Sequence, residues 1–429
     1  MGRTLRWMLW AAVVVCASTR SSGAAVLIPQ TVAARYGLTR AWFAQIGSPQ
    51  TTGTLAHVSL NEGMLLVQST SGMLSALDAE TGRTLWATQV GPSHHLSSEP
   101  AANEKFVVVV NGSVLFVLDR TTGHILWQRS LGGTPGAGPG VTKTHAFVPM
   151  VTGLIEGYDL EKGVKQIRWV YKSAGRVLIP PMTTGQTVSW ATEKGYFYVA
   201  DPAGKGVRYR LETRGAIQAR PGYWTPNLYA CSTDGSLYAV NETSGKIIWR
   251  YSVGDAIYTS PVAIEGKVFV ASETTGLYCL DAKAADQLWN APGIRQFVAA
   301  SPTRVYASDQ LGRLAILDSK RGTRLGTMPL DGIALKLVNG QSDRVYLVSD
   351  SCLVQCLRQA DLKAPVLYSP PPPPTVEGDK DKPKRPVDKP TDTAAEPKDD
   401  SDSKEPADDE TPAVKPKQPE EPAGDDPFK

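Results

Sequence analysis

A fifteen-residue phrase, GMLSALDAETGRTLW at residues 72–86, returns in degraded form about every 40 residues, and self-similarity at that period restricts a chain to a repeat architecture. Further copies begin at Gly112, Gly153, Gly195, Gly235, Gly276 and Gly312. Their acidic position falls at Asp78, Asp119, Asp159, Asp201, Asn241, Asp281 and Asp318, with gaps of 41, 40, 42, 40, 40 and 37 residues. A worn eighth copy, VYLVSDSCLVQCLR, places Arg358 at that position, 40 residues after Asp318. No insertion interrupts the array.

Each unit reads as strands. A short apolar run (MLLVQS, VFVAS, VYLVS) leads to a Gly and an alternating run ending at the acid; a turn and a third run through Trp follow. β-Branched and aromatic residues alternating between Gly, Asp, Asn, Ser and Thr clusters specify strands, and residues 50–358 show no helical stripe. The turns AETG, RTTG and ETSG pair an acid or amide that can bond its own backbone with a Gly suited to positive φ, so the recurring acids are expected to shape turns rather than catalyse. A fourth segment, rich in small residues and Pro, precedes each triplet: LSSEPAA, VLIPPM, AIQARPG and AIYTSPVA. Its composition suits an innermost strand crowded about an axis, where a backbone ladder is not needed on both sides. Four strands per unit make a propeller blade.

Closure is also legible. The segment LTRAWFAQIG at 38–47 resembles the last strand of a blade but has no blade before it, whereas the eighth copy stops after its third strand. The expected fold is therefore an all-β, eight-bladed propeller of four-stranded blades whose N-terminal strand completes the last blade and removes two exposed edges. Trp42, Trp86, Trp127, Trp169, Trp249 and Trp289 occupy the outer-strand position, where an indole can bury its rings against the next blade and give its N–H to a backbone acceptor. Tyr209 stands there in the fourth unit and Gly326 or Leu325 in the seventh, which predicts that these two blades are the loosest. Trp190 and Trp224 are off-register.

The pattern of Gly, alternating strand, Asp, turn Gly and Trp over residues 38–358 resembles the pyrroloquinoline-quinone-repeat, or quinoprotein-like, β-propellers. That resemblance implies the fold more strongly than an activity, because one fold hosts many functions. The catalytic branch carries a quinone and calcium on the axis, a catalytic Asp and often a vicinal Cys pair. Here Cys231, Cys279, Cys352 and Cys356 are never adjacent and read as buried fillers of strands. The chain is closer in plan to the non-catalytic branch, the exported scaffolds of outer-membrane protein assembly. None of that branch's partner-binding residues has a matching motif here.

Residues 1–25 read as a signal peptide, with Arg3 and Arg6, 11 apolar residues from Trp7 to Ala17, and GAA at 23–25. That stretch is too short to span a bilayer. Val15 stands where a lipoprotein signal wants a small residue, which favours cleavage near Ala24 or Ala25 over lipid anchoring at Cys16. Residues 26–37 are a lead-in. Residues 369–429 hold 15 of the 32 prolines and 17 acidic against 10 basic residues, a net charge of −7, and cannot bury enough apolar surface to fold. Residues 1–368 carry 35 basic and 25 acidic residues; without Arg3, Arg6 and Arg20 the propeller is left at +7, so the near-neutral total hides a split.

No phosphate loop, nucleophile elbow or metal-binding histidine string occurs, so no catalytic, cofactor or metal residue is assigned. The basic excess is not interleaved with aromatics, which argues against nucleic acid. Arg220, Arg295 and Lys336 fall near innermost strands and are candidates for a positive rim at the channel mouth. The expectation is a monomeric, exported, non-enzymatic scaffold, periplasmic or envelope-associated, that binds protein partners through its loops. The alternatives are a remnant of a quinone-dependent dehydrogenase and a small-ligand sensor.

Overall fold

The computed structural model describes residues 27–47, 53–163 and 169–371. The expected signal peptide, residues 1–25, and all but the first three residues of the acidic tail lie outside these.

The repeat folds as its period requires. The described strands form eight separate antiparallel sheets of four strands each. Blades 1 to 7 span residues 55–89, 101–130, 140–172, 182–212, 222–252, 262–291 and 294–328 in simple up-and-down order. Blade 8 takes its three inner strands from residues 335–359 and its outermost from Leu38–Gln45, which pairs antiparallel with Leu353–Gln359. Both chain ends of the array thus meet in one sheet.

Each blade is buried on both faces, which is why its middle strands read as continuous apolar runs such as FVVVV at Phe106–Asn111. Alternate residues of one strand serve different seams. In Met64–Ser69, Leu65 and Val67 pack towards blade 8, and Met64 and Leu66 towards blade 2. Eight hydrophobic clusters result, one at each junction between neighbouring blades.

The innermost strands are shorter than the sequence segments suggested. They are two or three residues long in blades 2 to 6 and in blade 8, and seven residues long only in blades 1 and 7. Prolines 100, 139, 180, 221 and 261, one from each of blades 2 to 6, line the central cavity just before these strands. Proline has no N–H to offer a ladder and so ends the pairing there.

The lead-in is structured. Gln30–Arg35 forms a helix, and Val32 and Tyr36 pack on the core between blades 7 and 8. Ile28 N–H donates to Gln355 Oε1 at 2.9 Å, and Arg40 donates to Ile28 O at 2.6 Å, so the segment is tied to the closing sheet.

Candidate functional site

The residues that recur meet at the seams. Trp42 Nε1 donates to Ala79 O at 3.1 Å, Trp86 to Arg120 O at 2.7 Å, Trp127 to Leu160 O at 3.1 Å, Trp249 to Ala282 O at 3.0 Å and Trp289 to Ser319 O at 3.2 Å. Every acceptor is the residue that follows the recurring acid in the next blade. The turn glycine of that blade lies flat under the ring: a Cβ on Gly82 would sit 2.3 Å from Trp42 Cε3, and one on Gly123 2.5 Å from Trp86. Glycine is needed there for its positive φ and for the absence of a side chain between two blades. At Trp169 the seam is built from rings, with Phe147 at 5.7 Å and Trp190 at 6.3 Å. Trp190, off-register in sequence, is fully buried there and donates to Ser173 Oγ at 2.8 Å.

The two seams without Trp are filled by other groups. Tyr209 OH reaches Asn241 O at 3.1 Å and Glu242 O at 3.0 Å, over Gly245, so the phenol replaces the indole. At Gly326 the space is taken by Tyr36 of the lead-in, whose Cδ1 would be 3.1 Å from an added Cβ. The sequence pattern missed this because the filling residue belongs to no repeat.

The recurring acids close turns. Asp78 Oδ1 accepts from Thr81 N at 2.8 Å and Thr81 Oγ1 at 2.6 Å, and Asp119 Oδ1 accepts from Thr122 N and Oγ1 at 2.8 and 2.9 Å. The Thr81 hydroxyl holds Asp78 below the usual carboxylate range, and the Thr122 amide does the same for Asp119. Among the described residues, no three His, Cys, Asp or Glu side chains are placed to hold a metal ion. The four thiols are free and buried. Burial pushes Cys279 up to about 12 and Cys352 up to about 11, away from the thiolate form that reacts. Cys352 is not a strand filler: it occupies the turn before Leu353–Gln359 with φ of 59°.

A central cavity of ≈ 420 Å³ opens among the innermost strands. Arg220 lines it, with Nη2 3.4 Å from Pro181 O and Nε without a hydrogen-bond partner. The other two candidate cations are elsewhere. Arg295 lies in a separate hollow of ≈ 240 Å³ beside Glu273, 3.9 Å away, and Lys336 lines neither cavity, its ammonium held below the usual lysine range by burial. The three make no common rim. A tricarboxylate quinone does not fit the lining either, because its only cation, Arg220, is accompanied by Glu62 and Glu99.

Beyond the last blade the chain runs on through residues 360–371, and Tyr368 and Pro370 line this cavity. Arg344, with no exposed side-chain surface, anchors this segment: it pairs with Glu80 of blade 1 at 2.7 Å and Asp343 at 3.0 Å, and donates to Lys363 O at 3.2 Å. Asp343 N–H donates to Val366 O at 3.1 Å, Val366 N–H returns to Asp343 Oδ1 at 3.0 Å, and Tyr368 N–H donates to Gln341 O at 2.8 Å. The Tyr368 ring is 5% exposed within the core between blades 6 and 7, and its OH donates to Ala300 O at 3.1 Å.

An eight-bladed ring of this repeat, with its acids spent on turns and its thiols buried, is a propeller of the quinoprotein-like class. Within that class the chain belongs to the family of the outer membrane protein assembly factor BamB, whose family model matches residues 30–130, 110–209 and 208–334. It is 23% identical over 328 residues to the assembly factor BamB of Shewanella oneidensis, covering 70% of this chain and 68% of that protein. The BamB of Alteromonas naphthalenivorans is 27% identical over 319 residues, covering 71% of this chain and 66% of the relative. The chain thus spans about two thirds of the length of these relatives. The crystal structure of BamB from Moraxella catarrhalis shares the fold, with a TM-score of 0.61 at 16% identity over 75% of this chain and 99% of that one.

Proposed function

We propose that this protein is a non-enzymatic scaffold of the cell envelope that binds protein partners in the assembly of outer-membrane proteins. The observation that carries the reading is the family match through residues 30–334, across a closed ring. The site chemistry agrees with it: what recurs in the chain is engaged in turns and seams, which leaves the loops that differ between blades for recognition. On this reading the protein is exported and acts as a monomeric propeller, docked through its indoles, blade to blade. No helix among the described residues is long and apolar enough to cross a membrane.

Crosslinking and pull-down of the tagged mature protein from native envelope tests the proposal. Recovery of an outer-membrane assembly complex is expected; consistent failure to recover one would sink it. Adding pyrroloquinoline quinone with calcium tests the absence of catalysis, and bound-cofactor absorbance with dye-linked alcohol oxidation would overturn it.

A further inference from the structure

The segment after the last blade buries one side chain. Of residues 364–370, Tyr368 alone is buried, whereas Leu367 is 70% exposed. Tyr368 also stands where three hollows meet. It lines the central cavity, a groove of ≈ 600 Å³ between blades 8 and 1, and a void of ≈ 60 Å³ beside Phe269 and Val305. The buried ring therefore stands in a slot between these hollows and separates them.

The backbone around the slot is a half-finished ladder. Gln341 and Asp343 receive and give hydrogen bonds to the segment in the pattern of an added strand, with Ser342 bridged to Leu367. Nothing in that ladder depends on the segment being covalently part of the chain: the same donors and acceptors serve any extended backbone, and the slot serves any aromatic side chain placed beside it. The groove alongside is walled by Leu60 and Tyr346 and still has space beyond Pro365 and Leu367.

We propose that residues 364–370 occupy in cis a docking site for an extended segment of a partner polypeptide, one that carries an aromatic residue between apolar or proline neighbours. Release of the segment exposes the ladder at residues 341–343, the aromatic slot and the adjoining groove, and joins the groove to the central cavity. The channel face of the propeller then has two states, one closed by its own Tyr368 and one open to a partner. This goes beyond the scaffold reading, since it assigns a place and a chemistry of recognition, and its test does not require the assembly complex.

The test uses the full mature chain and a fluorescent peptide with the sequence of residues 361–371. A tethered occupant competes at an effective concentration of about millimolar. The intact chain is accordingly expected to bind the peptide at least about tenfold more weakly than Tyr368→Ala, which loses its own plug and keeps the slot. The same peptide with Ala in place of its tyrosine should not bind Tyr368→Ala. If that variant folds, by circular dichroism, and fails to bind the peptide, or if intact chain and variant bind alike, the proposal is overturned. Hydrogen exchange on the unaltered chain is an independent reading. The amides of Val366 and Tyr368 should exchange at least about tenfold faster than those of Val345–Val348. Equal protection would make the segment a permanent part of the fold.

Discussion

Replacing Gly82 with Ala tests the seam geometry against a control already present in the chain. Gly82 has φ of +72° and Gly63 of +76°, but a Cβ on Gly63 meets nothing within 4 Å, whereas one on Gly82 falls 2.3 Å from Trp42 Cε3 and 2.5 Å from Cδ2. Both substitutions put an L-residue in the left-handed region, at roughly 1–2 kcal/mol. At Gly82 the indole must also move. A Trp side chain buries about 150–250 Å², so losing half of that contact at about 25 cal/mol per Å² costs roughly 2–3 kcal/mol. Breaking the Nε1 bond to Ala79 O adds about 0.5–1.5 kcal/mol. The expected costs are roughly 4–6 kcal/mol for Gly82→Ala and roughly 1–2 kcal/mol for Gly63→Ala. Urea unfolding followed by far-ultraviolet circular dichroism measures both. In a Trp42→Ala background Gly82→Ala should keep only its backbone cost, giving a coupling energy of about 2–4 kcal/mol. Equal costs at the two glycines, or no coupling to Trp42, would refute the claim that the ring and the glycine are matched across the seam.

Other perturbations address the remaining contacts. Tyr209→Phe removes the phenol that meets two carbonyls and should destabilise by about 1 kcal/mol, with extra hydrogen exchange confined to blades 4 and 5. Arg344→Met leaves Asp343 buried without its partner and should cost about 3–5 kcal/mol in urea unfolding, much of it recovered by adding Asp343→Asn. Asp78 and Asp119 have depressed folded pKa values relative to 3.8, so their contribution is complete at neutral pH and disappears as pH falls through the folded values. The melting temperature should be flat from neutrality into the mild acid range and drop below pH 3.8. Asp78→Asn with Asp119→Asn should flatten that drop and keep the turns, as Asn241 already does with Ser244 N at 2.9 Å.

The fold was legible because it is written in repetition. Strand order, blade number and the closing strand at Leu38–Gln45 all follow from one phrase and from where its copies begin and stop. What lay outside the period was not legible. Tyr36 fills the seventh seam from a lead-in with no counterpart elsewhere, so the blade expected to be loose has its own filler. Arg220, Arg295 and Lys336 share a rough position in the repeat, 21, 23 and 22 residues before the acidic position of their units, yet Arg220 precedes its inner strand, Arg295 lies in the seven-residue strand of blade 7 and Lys336 ends a two-residue one, and they share no hollow. Tyr368, the last residue before the acidic tail, belongs to no repeat, and a single buried residue gives no periodic signal.

The residue after each recurring acid shows how eight similar units avoid pairing wrongly. Its carbonyl does the same work in most seams, accepting the indole or phenol of the preceding blade, and is thus indifferent to side chain. Its side chain is different almost every time. Arg120 donates to the carbonyls of Asn61 and Glu62, each at 3.0 Å; Glu242 accepts from the hydroxyls of Thr184 and, at 2.9 Å, Thr187; Gln359 accepts from Ser301 at 2.7 Å and Thr303 at 3.2 Å. Each of these polar pairs is satisfied only by the turn of one particular neighbour, and exchanging blades would bury a donor or acceptor without a partner, at about 1–3 kcal/mol apiece. The shared carbonyl supplies adhesion, and the unshared side chain supplies order. Swapping Glu242 with Gln359 tests that division: the backbone carbonyls stay, that of residue 242 still meeting the Tyr209 phenol, so a ring that refolds as fast and as completely as the original would show that the side chains contribute nothing to order.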